Sequence, residues 1–269
     1  MPVSRDEADV ILIFGGDGTI HHHLAQLVKL ALPVLVVPSG SGNDFARALE
    51  LRSFRDSLNA WNQFVAGAGN IRPVDLGTIT PMGADGTSDA VSGSRYFSCI
   101  AGVGLDTEVA RRANGLPRWL RGKGGYALSF ASSIFNFAPF PMKVFTQNGS
   151  SADDWLSRSD QPTMLAAFAN TPHYGGGMKI APRAKIYDGL LDVCIVGAMN
   201  PFKLFCLFPT VYGGKHLGIR GVEYFQSAGA RIETEHPLDV YADGEYVCRT
   251  PVEIGIQPAA LKVVVPSAS

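Results

Sequence analysis

The sequence predicts two parts, an α/β domain at the N-terminus and a mostly β domain after it, a sandwich with helical insertions. Three observations support this. A continuous apolar run, Val10-Ile11-Leu12-Ile13-Phe14, ends in a glycine pair, and a second, Val34-Leu35-Val36-Val37, ends in Pro38-Ser39-Gly40-Ser41-Gly42. Apolar residues at helical spacing lie between them. Beyond Arg72 the chain breaks into short strand-like segments between turns rich in Gly, Pro, Asp and Asn.

The first run is apolar at every position, as in a strand buried on both faces of a parallel sheet. Leu24, Leu27, Val28 and Leu32 then recur at helical spacing, and Pro33 ends that helix. Val34–Val37 reads as a second buried strand. Asn43 or Asp44 can cap the helix that runs to Leu51, and Phe54 to Val65 forms another. The α/β domain is expected over 1–71 and the sandwich over 72–269, with the last strand a candidate to return to the first domain. In the second part Val74–Thr80, Tyr96–Ala101, Lys143–Gln147, Met164–Asn170, Leu191–Val196, Ala230–Glu233, Leu238–Tyr241, Val252–Ile256 and Leu261–Val265 read as strands. Helical insertions are expected at Asp106–Phe137, broken near Gly115-Leu116-Pro117 and Gly122–Gly125, and at Asn200–His216. Met82–Ser94, rich in Gly, Ser and Asp, reads as a mobile loop.

Composition narrows the function classes. The chain has 269 residues, 46% of them hydrophobic and 17% charged, which is globular and not disordered. A net charge of −1 argues against a nucleic-acid partner. Cys99, Cys194, Cys206 and Cys248 form no C-x-x-C pair, so neither zinc nor a disulfide framework is expected, and a reducing, cytoplasmic setting fits. Met1–Asp9 carries charge and no apolar signal region. Of the two most apolar stretches, Tyr126–Phe140 is too short to span a bilayer, and Leu190–Tyr212 is interrupted by Asp192, Asn200, Pro201 and Lys203.

Two loops carry the chemistry. In Gly15-Gly16-Asp17-Gly18-Thr19 the glycines allow a sharp turn and let the backbone approach a ligand with no Cβ in the way. The following helix presents unpaired N–H groups and a positive dipole end, which suit a phosphate. Asp17 would repel a phosphate unless Mg²⁺ lay between them, so it reads as a metal-site residue; an ordinary Gly-rich turn capped by Asp17 is the plain alternative. Ser39-Gly40-Ser41-Gly42-Asn43-Asp44 repeats the arrangement after the next strand. Both loops should therefore share the carboxyl edge of one sheet, where open α/β folds bind ligands. Capping is likewise the alternative for Asp44. Asp243-Gly244-Glu245 by itself reads as a hairpin turn, and Gly175–Gly177 as a loop whose backbone passes near a cleft.

In order, Gly15–Thr19, Pro38–Arg47, Asp75-Leu76-Gly77, Ala101–Asp106, Tyr174–Pro182, Tyr187–Asp192 and Asp243-Gly244-Glu245 make the sequence resemble the diacylglycerol kinase catalytic family, in its bacterial lipid-kinase branch, with relatives among sphingosine and ceramide kinases. Each segment is weak alone; their order from residue 10 to the C-terminus is specific. The resemblance implies a Rossmann-like, phosphofructokinase-like nucleotide domain, a C-terminal β-sandwich, and an ATP-dependent kinase acting with Mg²⁺ on the hydroxyl of diacylglycerol or a related lipid alcohol. It implies nucleotide binding by Gly15, Gly16, Asp17, Gly18, Thr19, Ile20, His21, Ser39, Gly40, Ser41, Asn43 and Asp44. Asp17, Asp44 and Asp188 would surround Mg²⁺. A second, structural Mg²⁺ would lie beside Asp188, with carbonyls near Lys185 and Leu190 as co-ligands. Glu245 matches the acceptor of the hydroxyl proton, with Asp243 and Asp17 as the other catalytic candidates. The lipid would be met at the inner face of the membrane by a peripheral protein; a homodimer is left open.

The family pattern opens with a strand and an Asn-Pro loop ahead of the Gly-Gly-Asp-Gly loop, which starts here at residue 15. At least one βα unit, about 30 residues, is therefore expected to be missing. That would weaken ATP binding and leave an apolar sheet edge exposed. The alternatives are an NAD-kinase-like or phosphofructokinase-like kinase of a soluble hydroxyl, and a catalytically inactive nucleotide- or lipid-binding module. His21-His22-His23 stands where relatives carry Asn-Glu; consecutive helical residues cannot share one metal, so these read as solvated positions, with His21 placed to touch a phosphate. Lys123 reads as an exposed loop lysine, with an anionic headgroup as its alternative partner. Trp119, Tyr126, Phe130, Phe135, Phe137 and Phe140 read as core, with an acyl-chain site or membrane face as the alternative.

Overall fold

The structure, a computed structural model, describes residues 8–83, 93–115, 129, 133–147 and 155–267. Strand β1 (Ile11–Gly15) leads through the first glycine loop into helix α1 (Asp17–Leu30), and β2 (Val34–Pro38) through the second into α2 (Asp44–Ala48) and α3 (Phe54–Val65). β1 and β2 pair in parallel, Ile13 opposite Val36, which sets both loops side by side at the carboxyl ends of the strands. Ile20, Leu24 and Leu27 are the buried face of α1.

β1 departs from the expected burial on both faces. Ile13 and Gly15 are buried, but Leu12 and Phe14 are exposed, Phe14 at 63%. β1 ends the sheet order, and among the described residues nothing covers its second face.

The remaining strands are β3 (Ile71–Pro81), β4 (Arg95–Phe97), β5 (Ile100–Gly104), β6 (Phe140–Gln147), β7 (Trp155–Ser159), β8 (Pro162–Ala169), β9 (Leu191–Gly197), β10 (Val222–Ser227), β11 (Gly229–Thr234), β12 (Asp239–Ala242), β13 (Glu245–Arg249) and β14 (Val252–Val264). They form two layers joined through β6. One carries β14 with β3, β11 and β6; the other carries β8 with β5 and β9, and continues through β12 to β13. Ile79, Phe97, Val144, Phe168, Val193 and Ile254 fill the space between them. The expected strands Val252–Ile256 and Leu261–Val265 are one strand, with a register shift between Gln257 and Leu261 and Ala259 at φ 53°. That bulge bends β14 out of the sandwich, so that Val263 pairs in parallel with Val34 of β2.

β7 and β10 escape a pattern reading because their support is cross-strand: the Arg231 guanidinium lies over Trp155 and that of Arg158 over Phe225. The first helical insertion is seen as α4 (Leu105–Gly115). Lys123, Trp119, Tyr126, Phe130 and the core of the 82–94 loop lie outside the described residues. Of the aromatics expected in the core, Phe135 is exposed. The second insertion is α5 (Pro201–Tyr212), followed by a 3₁₀ turn at Lys215–Gly218. Among the described residues no helix is long and apolar enough to cross a membrane.

Buried Asn70 closes the first domain. Its amide nitrogen donates to the carbonyls of Ala60, at 2.9 Å, and Val265, at 2.8 Å, joining α3 to the chain after β14. Asn70→Ala leaves both carbonyls short of a donor and should cost about 1–3 kcal/mol in urea denaturation, with no change in the slope of the transition.

Candidate active site

The two glycine loops touch backbone to backbone. A Cβ on Gly40 would lie 2.5 Å from Gly16 Cα, and one on Gly16 would lie 2.8 Å from Gly40 Cα, so neither position has room for a side chain. Asn43, itself in the left-handed region, staples the second loop: its Oδ1 accepts from Gly40 N and its Nδ2 donates to Gly40 O, both at 2.8 Å. Asp17 bridges the loops. Its two carboxylate oxygens accept the first free N–H groups of α2, from Asp44 and Phe45, each at 3.0 Å. Asp17 therefore caps the start of α2 and not its own helix, whose N-terminus has no side-chain cap, and the same carboxylate faces the cleft.

That cleft has a volume of about 410 Å³ and lies between the two domains. Gly16, Asp17, Gly18 and Thr19 line it from the first loop, and Gly40, Ser41, Gly42 and Asp44 from the second. The sandwich contributes Cys99, Ile100, Asp106, Ala110, Tyr174, Gly175, Gly176, Tyr241, Asp243, Gly244 and Glu245. Asp44 is buried; its Oδ2 accepts from Gly176 N at 2.9 Å, and its Oδ1 pairs with the guanidinium of Arg47. Gly175, Gly176 and Gly177 all have positive φ, which lets this loop turn its N–H toward Asp44. Burial first, then the charge of Asp44, pushes Asp17 up to about 6 against the pull of its two backbone donors.

Asp243 and Gly244 form the two-residue turn between β12 and β13, both with positive φ, and Ala242 pairs with Glu245. This is the hairpin read from the sequence, and its Asp is buried in a nest of donors. Asp243 Oδ2 accepts from Ser98 N at 2.8 Å and Ser98 Oγ at 3.0 Å, and Oδ1 accepts from Cys99 N at 2.8 Å and Ile100 N at 3.3 Å. His21 Nδ1 of α1 reaches the same Oδ2 at 3.0 Å, so the pair crosses between domains. Burial works against charge on His21, but the hydrogen bond and charge of Asp243, with Glu245 nearby, outweigh it and hold the imidazole above its ordinary range. Glu245 opens β13 exposed in the cleft, its Oε1 3.4 Å from where a Cβ on Gly18 would stand.

Several expected positions sit elsewhere. Ile20 points into the core, its residue 1% exposed, because it lies on the buried face of α1. Gly15, Ser39 and Asn43 support the loops and His21 meets Asp243; none of the four lines the cleft. Asp188 is exposed outside it, its Oδ1 accepting from Leu190 N and its Oδ2 from Gln226 Nε2, so it does not converge with Asp17 and Asp44. Lys185 is also exposed, and Leu190 meets Asp188 through its backbone N–H. The turn after Asp188 is pinned instead by buried Asp75, which accepts from Gly189 N and Ala259 N at 2.8 Å. Among the described residues no three carboxylates, imidazoles or thiols form a metal-binding group.

The Ser98–Ile100 turn, Arg47, Tyr174 and Tyr241 carry no role in the sequence reading. Asn170 shows how the turn is built: it donates to the carbonyls of Asp75 and Ser98 at 2.9 Å. Such backbone donors have no sequence signature. Cys99 contributes its N–H; burial, with the nearby carboxylates, pushes its thiol well above the usual range.

Residues 99–265 match the family model described as the YegS C-terminal NAD kinase beta sandwich-like domain, and residues 2–92 that of the diacylglycerol kinase catalytic domain. A diacylglycerol kinase of Mycobacterium tuberculosis is 31% identical over 258 residues, 96% of this chain and 77% of that protein. The chain belongs to the diacylglycerol kinase family. This family member is a lipid kinase. A Bacillus subtilis diacylglycerol kinase is 26% identical over 242 residues, covering 89% of this chain and 72% of that protein. A crystal structure of a diacylglycerol kinase from Bacillus anthracis str. Sterne shares the fold, with a TM-score of 0.64 at 18% identity, over 97% of this chain and 78% of that one.

Two outcomes follow for this kinase. Gly40→Ala should cost about 1–3 kcal/mol in thermal or urea melts, since the methyl meets backbone that cannot give way. The raised His21 adds stability that is fully present below its ordinary value of 6.5 and fades as pH rises through its higher folded value. His21→Asn should flatten that loss when urea midpoints are compared from pH 6 upward; an unchanged slope would exclude the His21–Asp243 pair as its source.

Proposed function

We propose that the protein transfers the γ-phosphoryl group of ATP to the hydroxyl of diacylglycerol or a related lipid alcohol, at the cytoplasmic face of a membrane. One observation carries this reading: a single cleft gathers both glycine loops, the Asp17 and Asp44 carboxylates, and Glu245. Phosphoryl transfer asks for positioning and charge neutralisation more than for covalent chemistry, and these parts supply both.

The loop N–H groups and the start of α1 hold the phosphates. Asp17 and Asp44 fit Mg²⁺ as oxygen donors: each of their four carboxylate oxygens accepts one hydrogen bond and keeps a further lone pair for a cation. Two carboxylates with substrate phosphates are an ordinary Mg²⁺ set. When bound, Mg²⁺ would neutralise charge on the transferring phosphate. Glu245 takes the hydroxyl proton as the acceptor oxygen forms its bond to phosphorus and ADP leaves. Asp243, whose two oxygens are surrounded by Ser98 N, Ser98 Oγ, His21 Nδ1, Cys99 N and Ile100 N, has no lone pair left for a hydroxyl proton and positions that turn.

An apolar neighbour supports a lipid acceptor. Tyr174 also lines a narrow cavity walled by Leu105, Met164, Met178, Leu204 and Leu207, so apolar surface begins where the catalytic cleft ends. Labelled ATP offered with a panel of acceptors tests the reading; transfer only to NAD or a sugar phosphate would sink the lipid acceptor. Glu245→Gln should lower kcat by about 10²–10⁴ with the KM for ATP little changed. Asp17→Ala should abolish transfer while leaving the far-UV circular dichroism intact, and full activity would refute its role with the metal.

A further inference from the structure

Helix α5 is apolar on two sides. Leu204, Leu207 and Val211 are buried, and with Phe208 they wall the narrow cavity beside the cleft. The other side carries Phe202 at 72% exposure, Phe205 at 45% and Tyr212 at 38%, with Cys206 and Pro209 also exposed. Positions 202, 205, 209 and 212 form one stripe, where a helix facing water carries polar side chains. Phe135 joins the stripe, its ring 6.0 Å from that of Phe202 and 6.1 Å from that of Phe205, and is itself 52% exposed. This is a contiguous aromatic patch and not a scatter of single residues.

Along the segment that carries α5 the charge has one sign. From Val193 to Val222 there is no Asp or Glu, while Lys203, Lys215 and Arg220 are all exposed. Lys203 Nζ donates to the Arg220 carbonyl at 3.1 Å, which holds that ammonium beside the patch. A second copy of this chain, docked face to face, would bring like charges together. An anionic bilayer meets both features: aromatic rings settle at the headgroup level and cations meet lipid phosphates.

We propose that α5 is the membrane-docking element of this protein, lying in the headgroup region of an anionic bilayer with Phe202, Phe205 and Phe135 inserted and Lys203 and Arg220 on lipid phosphates. The proposal rests on the lipid-acceptor reading above. It gives that reading a direction, because the docked helix is the wall between the bilayer and the apolar cavity that adjoins the cleft.

Vesicle flotation decides it, using phosphatidylcholine alone and an equal mixture with phosphatidylglycerol. Dioctanoylglycerol in detergent micelles serves as an acceptor that needs no docking. The native chain should float with the anionic vesicles. Phe202→Ser with Phe205→Ser should weaken that binding at least about tenfold and leave micellar phosphorylation unchanged. Lys203→Glu with Arg220→Glu should remove the preference for phosphatidylglycerol, and it tests the surface without touching the rings. Equal melting temperatures establish that both variants are folded. Either variant floating as the native chain does overturns the proposal. A native chain that phosphorylates micellar acceptor without floating also overturns it, and leaves the kinase reading standing. Flotation without phosphorylation of any acceptor supports the surface and tells against the acceptor. A dimer in sedimentation velocity that F202S/F205S dissolves, in a chain that does not float, assigns the patch to a second copy and overturns the bilayer.

Discussion

The Asp243 carboxylate joins three parts of the molecule that the chain keeps far apart. It collects the N–H groups of Ser98, Cys99 and Ile100 at the mouth of β5, shapes the β12–β13 turn that carries Glu245, and meets His21 on α1. A buried carboxylate without partners would be costly, so its donors are in effect obligatory. Meeting them draws the sandwich onto the α/β domain at one point. Glu245 stands against Gly18 because Asp243, two residues earlier, is held in place.

The same economy of position governs the glycine loops. Gly16 and Gly40 are glycines first because the two backbones touch, and that contact brings both loops to the same wall of the cleft. Asp17 then ties the first loop to the start of α2, and Asp44 ties α2 to the Gly175–Gly177 loop of the sandwich. Burial of Asp17, and after it the charge of Asp44 alongside, disfavours the ionised carboxylate. That penalty is placed where a cation and a phosphate would be needed, the usual signature of a functional site.

Outside the cleft, α5 shows how one element can serve two surfaces. Its inner stripe packs as core and its outer stripe leaves aromatic rings in water beside cations. Pattern reading sees only an apolar helix here, because period alone does not say whether a second apolar face meets protein, lipid or solvent.

Much of the fold and part of the site were legible in the residues. The two apolar runs, their glycine ends and the helical spacing after them determine the β1–α1–β2–α2 order, since those signals are local. The hairpin at Asp243-Gly244 is likewise local, because only such residues take two left-handed positions cheaply. The family resemblance named Asp17, Asp44 and Glu245, all of which line one cleft. Tertiary structure decided the rest. It turned two expected strands into β14, because a bulge with Ala259 at positive φ lets one strand serve both domains. It set Asp188 outside the cleft and placed Asp75 as the clamp of its turn. It also made Asp243 a scaffold, since its partners are backbone N–H groups about 145 residues away in sequence, and every residue but proline carries one of those, whatever its side chain.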